Sequence, residues 1–275
     1  MKNFANLSKL SLNIHLYEDS STKNLDLREI VGYLREKLGQ VSVDLRGPFI
    51  KASFDETQDL ARRMAGTKVR DLANPNVQFE PLPGEVEFER KLLRDSGLRI
   101  VGLLYDGFKL QAVLRELIPE EEFDIGHAHI AFTSRLFGTF DEGDRRYHAR
   151  VGIYGFPSMI STTGIVEAPA RPKEFYVLKQ RYAALGGTDA QMEELKEKFR
   201  GRFIDYDDER LTEVMKGYAM QAVFYHLKLD PFCSDKRCRL WNAHWQEEVL
   251  EAQLSRPELC ERHERELAQF RGRLG

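Results

Sequence analysis

The first half of the chain alternates short apolar segments of strand character with amphipathic segments of helix character. In 12–17, leucine and isoleucine occupy every second position, which predicts a half-buried strand. Asp26 can cap a helix that runs to Leu38, and Gly39 is placed to end it. Further strands are predicted at 41–45 and 98–104, and further helices at 54–66 and 107–117.

The pattern changes twice along the rest of the chain. The middle is rich in strands, which are predicted at 128–133, 148–154 and 159–166. After Pro172 helical periodicity dominates, at 173–185, 188–200, 206–228, 241–254 and 257–271. Strands mixed with helices, followed by helices only, predict an α/β (α+β) fold: a mixed sheet with flanking helices and a helical C-terminal part. We expect a sheet region over 1–170 and a helical region over 171–275, together forming one compact unit.

The composition of the chain argues against several classes of binding partner. Of the 275 residues, 31% are charged, yet the formal net charge is only -3, so no basic surface for nucleic acid is expected. The chain has no apolar run of the ~20 residues that a membrane helix needs, and its N-terminus lacks the apolar core of a signal peptide. Three cysteines argue against a disulfide framework. These features predict a cytoplasmic protein with no membrane or nucleic-acid partner.

All three cysteines lie in a pattern typical of metal sites. Cys233 and Cys238 are five apart in one short segment, and Cys260 precedes His263 by three residues in a helical segment. Residues three apart share a helix face, so the two pairs can meet at one closed tetrahedral zinc site of structural type. His244 is an alternative fourth ligand. The other interpretation is three reduced, buried cysteines beside a surface histidine.

The same residues resemble the archaemetzincins, a branch of the metzincin zinc peptidases. The family signature joins HExxHxxGxxHC to a Cys-x4-Cys and a later Cys-x2-Cys that closes a structural zinc site. Laid on this chain, the first two cysteines become Cys233 and Cys238. The later pair becomes Cys260 and His263, with histidine in place of the last cysteine. The resemblance implies a metzincin-like fold, a structural Zn²⁺ and a metallopeptidase ancestry.

The catalytic half of the signature is degenerate. His226 stands at the position of the second histidine, but Ala222 and Val223 occupy those of the first histidine and the general-base glutamate. Leu229 replaces the turn glycine, and Phe232 replaces the third histidine. The reaction needs two histidines to hold zinc and a glutamate to take a proton from its bound water. The resemblance therefore implies that the standard peptidase site is absent.

Other residues are candidates for a replacement site. His127 and His129 alternate on a predicted strand, so both imidazoles leave the same face and can offer two nitrogens to one ion. His148 opens the next strand, Glu167 follows the third, and His226 can join from its helix. If the strands are neighbours, the histidines can hold a catalytic zinc and Glu167 can act as general base. Each residue also has a simpler interpretation, as a packed or surface side chain or a turn residue.

Arginines and tryptophans suggest a binding surface. Four arginines border the strand-rich region: Arg135, Arg146, Arg150 and Arg171. Guanidinium groups bind carboxylates and phosphates in a bidentate manner, so these side chains suit a small anionic ligand or a peptide C-terminus, or they form surface ion pairs. Trp241 and Trp245, four apart in a predicted helix, are either a small core over the zinc knuckle or aromatic anchors of a partner groove.

Two hypotheses follow from the sequence. The first is a zinc-binding, metzincin-like metallohydrolase with a modified active site that acts on an amide or peptide-like substrate. The alternative is a catalytically inactive pseudoenzyme that keeps the structural zinc and binds a peptide or anionic ligand in an arginine-lined cleft. A metal-free small-molecule enzyme is a third interpretation. The presence of a second metal ion distinguishes the first two hypotheses.

Overall fold

The structure, a computed structural model, describes residues 11–18, 21–49, 56–95, 97–98 and 102–273. The N-terminal segment in which no signal peptide was expected lies almost wholly outside the described residues, as do positions 99–101 of the predicted strand at 98–104. Within the described ranges, no helix has the length and apolar character that crossing a bilayer demands.

The described strands form two sheets. The first strands are β1 (Asn13–Tyr17), β2 (Ser42–Arg46), β3 (Leu104–Asp106) and β4 (His127–Thr133). They are followed by β5 (Leu136–Asp141), β6 (Arg146–Arg150), β7 (Gly152–Ile153) and β8 (Ser158–Ser161). The larger sheet has the order β2-β1-β4-β8-β7, and the smaller has the order β3-β5-β6. In the larger sheet, the pairs up to β8 are parallel, and β7 runs antiparallel at the edge.

Helices flank the larger sheet and dominate the C-terminal part. Those before the last strands are α1 (Leu27–Leu38), α2 (Glu56–Ala65), α3 (Pro83–Arg94) and α4 (Gly107–Arg115). The rest are α5 (Gly164–Glu167), α6 (Lys173–Ala184), α7 (Asp189–Lys198), α8 (Leu211–Lys228), α9 (Gln246–Leu254) and α10 (Glu261–Arg273). The predicted mixed α/β class is confirmed.

Strand alternation gives the larger sheet two different faces. Ile14 and Leu16 of β1 and Ile130 of β4 point into the main core, where α1 and α8 pack. Positions between them, such as His15 and His129, therefore belong to the opposite face. The main core joins residues from both sides of the boundary between the regions predicted at 1–170 and 171–275, for example Ile14 and Val223.

The best sequence predictions concern local capping. The Asp26 side chain accepts hydrogen bonds from the backbone N–H groups of Arg28 (2.8 Å) and Glu29 (3.3 Å), which fixes the start of α1 as predicted. Gly39 follows α1 with φ of 78°, a conformation that favours glycine.

Several predicted elements were wrong at one end, including the helices predicted at 206–228 and 257–271, which begin at Leu211 and Glu261. Two others show the physical reason. The strand predicted at 159–166 stops at Ser161, because Thr163 Oγ1 donates to the Ser134 carbonyl and Ser161 Oγ accepts from Gly164 N, which turns the chain into α5. The helix predicted at 241–254 begins only at Gln246. Its first residues are extended because Cys233 N donates to the Leu240 carbonyl (2.9 Å) and closes the cysteine segment.

A buried guanidinium ties the C-terminal part together. Arg239 is fully buried, and its Nη2 donates to Glu213 (2.5 Å) on α8 and to the Gln253 carbonyl (2.9 Å) on α9. Lys216 Nζ also donates to Glu213 (2.7 Å). Partial burial acts to raise the pKa of Glu213, but the hydrogen bonds from Lys216 and Arg239 hold this pKa at about 2.

Acid is expected to weaken this contact. Because the folded-state pKa of Glu213 lies below its ordinary value of 4.5, the stabilisation is complete above that value and is lost as the pH falls towards 2. We expect Glu213→Gln to lower the urea midpoint at pH 7 and to flatten its decline between pH 5 and 2. Glu209→Gln, at an exposed position, is the control. An unchanged acid dependence in Glu213→Gln would refute the assignment.

Candidate metal centres and the cleft beside helix α8

The structure brings the four residues of the predicted zinc site together. Potential ligand atoms of Cys233, Cys238, Cys260 and His263 all lie within 4.8 Å of one another. The Cys233 and Cys260 sulfurs are 3.7 Å apart, and His263 Nδ1 lies 3.2 Å from Cys260 Sγ and 3.6 Å from Cys238 Sγ. A tetrahedral zinc with Zn–S bonds of ~2.3 Å separates two sulfurs by about 3.8 Å. The donor set and spacing therefore fit a zinc ion.

Local structure fixes each of these side chains. Cys233 and Cys238 lie in the segment after α8, where the Asp235 backbone N–H points at Cys233 Sγ (3.3 Å). Cys260 immediately precedes α10, and His263 lies in the first turn of that helix against the Phe224 ring. Burial raises the pKa of the Cys238 thiol to about 12. A bound cation would compensate for the cost of the buried thiolate that zinc binding requires.

The helix that aligns with the peptidase signature carries few ligand atoms. Ala222 and Val223 are buried in the main core. His226 Nε2 donates to the Ile125 carbonyl (2.8 Å). Leu229 ends α8 with φ of 60°, the left-handed conformation for which the signature has a glycine. The turn is thus kept, although leucine adopts it at a cost in strain.

A cleft of about 430 Å³ runs between the edge strand β7 and α8. Aromatic and amide side chains dominate its lining. The Tyr154 hydroxyl donates to Gln221, whose amide nitrogen donates to the Trp241 carbonyl (3.2 Å). Phe232 packs edge-on against Tyr154 with ring centroids 5.9 Å apart, so a hydrocarbon ring stands where the signature has its third zinc ligand.

A second cluster of imidazoles lies on the polar face of the larger sheet. β1 and β4 are parallel neighbours, and their register pairs His15 with His129 and Asn13 with His127. The His15 and His129 ring centroids are 4.9 Å apart, and His15 Nε2 lies 2.9 Å from His127 Nδ1. Ligand atoms of His15, His129 and Glu122 all lie within 4.8 Å of one another.

Polar groups hold the outer nitrogens of this histidine cluster. His15 Nδ1 donates to Asp44 Oδ1 (2.5 Å), and the Tyr17 hydroxyl lies 2.9 Å from His129 Nδ1. Arg46 on β2 donates to both carboxylate oxygens of Glu122 (2.7 Å each) and to Asp44 (2.9 Å). The ring orientations are therefore set by neighbouring strands and by the 3-10 turn at Glu120–Glu122.

The environment sets the charges of this cluster. Burial lowers the pKa of His129 to about 4, so its imidazole is neutral at pH 7. The Arg46 hydrogen bonds lower the pKa of Glu122 to about 2. Partial burial acts to raise the pKa of Asp44, but hydrogen bonds from Arg46 and His15 keep it below its ordinary value. Two carboxylates thus face one guanidinium and a neutral ring.

Residues 10–270 match the model of the family described as "Probable metallopeptidase family (DUF6775)". The chain belongs to this family. The metallopeptidase resemblance indicated by the C-terminal residues is therefore confirmed. The chain is also similar to the crystal structure of archaemetzincin from Methanopyrus kandleri, with 13% identity over 94% of this chain and 95% of that chain and a TM-score of 0.45. A search of curated proteins gave no match.

Other predicted site residues of this family member lie apart. His148 is on β6 in the smaller sheet, where it bonds Asp144 (2.7 Å), so its strand is not a neighbour of β4 as the three-histidine prediction required. Glu167 ends α5 and accepts a hydrogen bond from Tyr206 (2.9 Å). Among the described residues, neither His148 nor Glu167 forms a metal-capable group with His129. The exposed His244 lines the cleft.

The four predicted arginines have four different surroundings. Arg135 bonds the buried Glu89 (3.2 Å), and Arg146 bonds Asp144 (2.9 Å) on the β5–β6 hairpin. Arg171 stacks on phenylalanine rings of the α6–α7 region. Arg150 lines the cleft, where its Nε donates to Thr139. Of the four arginines, only Arg150 lines the cleft. The guanidinium groups of the other three contact carboxylates or aromatic rings elsewhere.

His15 is the main residue that the sequence reasoning missed. It lies within the strand predicted at 12–17, on the face opposite Leu12, Ile14 and Leu16. The available signal in the sequence was a histidine at an alternate position of a strand whose other face is apolar. Its partner was hidden, because the pairing of β1 with β4 spans more than a hundred residues.

Proposed function

We propose that this protein is a peptide-binding member of its metallopeptidase family, with a structural zinc ion at Cys233, Cys238, Cys260 and His263. The bound segment would lie in the cleft between β7 and α8. The observation that carries this proposal is the chemistry of the cleft, where Phe232 stands at a metal-ligand position of the signature and packs against Tyr154, beside the edge strand of the described sheet.

The edge strand supports peptide binding. β7 pairs on one side with β8 and ends the order of the larger sheet. An edge strand presents backbone N–H and C=O groups, to which an extended peptide can add as a further strand. Aromatic side chains such as Phe232 and Trp241 then offer apolar surface to alternate side chains of that peptide.

The helix supports loss of the standard reaction. Hydrolysis at the signature position needs imidazoles and a carboxylate, but Ala222 and Val223 are buried among apolar neighbours. His226 donates its Nε2 proton to a backbone carbonyl instead.

The metal group of the C-terminal part suits a structural role. Three sulfurs and one imidazole nitrogen complete four-coordinate zinc and leave no position for a substrate or water. When bound, zinc would join the segment after α8 to the start of α10. Thiols that remain reduced for this purpose suit a cytoplasmic location, which we include in the proposal.

Arg150 is expected to bind the C-terminal carboxylate of the peptide. Its Nε is bonded to Thr139, and the terminal nitrogens can form a bidentate pair with a carboxylate. Peptides selected from a random phage-displayed library would be measured by fluorescence anisotropy. We expect Arg150→Gln to weaken binding about tenfold, the equivalent of ~1.4 kcal/mol, and C-terminal amidation of the peptide to weaken it similarly.

Arg146→Gln is the matched control, since Arg146 lies on the β5–β6 hairpin and pairs with Asp144. This variant should bind as the wild type does. If both variants bound the peptide with equal affinity, Arg150 would have no specific role in peptide binding. Failure to select any peptide from the library would contradict the peptide-binding proposal itself.

Metal-dependent hydrolysis of an amide or peptide-like substrate is the second candidate function. The observation in its favour is the cluster of His15, His127 and His129. Glu167 lies outside this cluster's metal-capable group, so a hydrolytic role for it would need a different arrangement. This candidate requires a second metal ion.

A further inference from the structure

We propose that His15, His129 and Glu122 form a second metal site for a divalent first-row transition ion, with Zn²⁺ the leading candidate. The site lies on the polar face of the larger sheet and shares no residue with the cysteine group or with the lining of the cleft. A test of this metal site is therefore independent of the peptide-binding proposal.

The donor geometry is the first argument. Two imidazole nitrogens on one tetrahedral zinc lie about 3.3 Å apart, given Zn–N bonds of ~2.0–2.1 Å. His129 Nε2 lies 3.8 Å from Glu122 Oε2, and ligand atoms of His15, His129 and Glu122 all lie within 4.8 Å of one another. Inward movements of less than about 1 Å bring these atoms to ligand distances. Two histidines and one carboxylate are a ligand set of catalytic zinc and non-haem iron sites.

The outer contacts are the second argument. A metal-bound histidine usually donates its other ring N–H to a carboxylate, which fixes the ring and raises its basicity. His15 has this contact, because Nδ1 donates to Asp44 and Nε2 is left to face the cluster. His129 is held differently, because the Tyr17 hydroxyl lies 2.9 Å from Nδ1 and Nε2 lies 3.3 Å from the Glu122 carbonyl oxygen, a hydrogen bond that a metal ion would replace.

Charge is the third argument. The charged groups bonded within the cluster are Asp44, Glu122 and Arg46, which sum to one negative charge when the imidazoles are neutral. The side chains of Glu122 and Arg46 are 16% and 27% exposed, so water screens this charge only in part. A divalent cation compensates for it. Arg46 does not block ligation, since each carboxylate oxygen of Glu122 has a second lone pair.

The simplest alternative is a hydrogen-bonded chain without metal, in which His127 donates to His15 and His15 donates to Asp44. Metal uptake distinguishes the two. Metal-free, reduced full-length protein would be titrated with CoCl₂ and ZnCl₂, and bound metal would be counted by elemental analysis. Cobalt in the cysteine group gives strong thiolate charge-transfer absorption, whereas cobalt on nitrogen and oxygen ligands does not.

We expect the wild type to take up two equivalents, of which one lacks the thiolate band. His15→Asn with His129→Asn should lose that second equivalent and keep the first. The control is His226→Asn with His244→Asn, which removes two histidines that belong to no metal-capable group among the described residues and should keep both equivalents. Uptake of a single, thiolate-bound equivalent by the wild type would overturn the proposal, as would equal uptake by the two double variants.

A single substitution outside the ligands tests the site even if the double variant fails to fold. Asp44→Asn leaves the ligands intact but replaces the charged acceptor of His15 Nδ1–H with a neutral amide oxygen. Changes to such outer contacts typically cost 10- to 100-fold in metal affinity, and we expect that loss at the second site alone. An unchanged affinity of the second equivalent in folded Asp44→Asn would contradict the site.

Discussion

Replacing Cys238 with serine is expected to release one metal ion per chain and to unfold the C-terminal helices. Cys238 is 1% exposed, and its sulfur lies 3.6 Å from His263 Nδ1 on α10. Structural zinc supplies on the order of 10 kcal/mol of binding energy to small metal modules, comparable to the whole stability of a typical domain. Elemental analysis and a thermal melt followed by circular dichroism would measure the two effects.

His244→Asn is the control for this experiment, because His244 was the alternative fourth ligand but is exposed and outside the cysteine group. It should keep the metal and the melting temperature. If Cys238→Ser also retained both, the structural-zinc proposal would be wrong. If His244→Asn lost the metal, the assignment of His263 as the fourth ligand would be wrong instead.

Replacing Arg239 with methionine is expected to destabilise the protein by about 3–5 kcal/mol, the cost typical of breaking a buried ion pair on one side. The guanidinium is fully buried and pairs with Glu213 (2.5 Å) and Glu258 (3.5 Å). Methionine fills much of the volume but removes the guanidinium that Glu213 and Glu258 share, and each carboxylate keeps only its weaker, more exposed ion pairs with other side chains. Urea unfolding at pH 7 would measure the change in the free energy of unfolding.

Arg237→Met is the matched control, since Arg237 belongs to the same cysteine segment but is exposed. Its expected effect is within about 0.5 kcal/mol, as for most surface substitutions. Similar losses in the two variants would mean that the segment tolerates methionine poorly at any position. The buried ion pair would then not be the cause.

Short-range patterns predicted many local elements. Helix α1 has its predicted cap at Asp26, because the signal lies within a few residues. Neither β5 nor α3 was predicted from the sequence. The pairing partners of β5 are set by the fold, and α3 begins with a proline and a glycine, which are typical of loops. Trp241 was placed in a helix, although backbone contacts of the cysteine segment hold it extended.

The candidate sites also differ in how far the sequence predicted them. The sequence determined the ligand types and pair spacings of the cysteine group, because each pair is local and its chemistry suits zinc. It also determined that the peptidase signature on α8 lacks most of its ligands. Only the tertiary structure decided that His15 and Glu122, rather than His148, lie beside His129, and that Arg150 lines the cleft. The physical reason is that strand order and register arise from packing over the whole chain, which short-range periodicity does not encode.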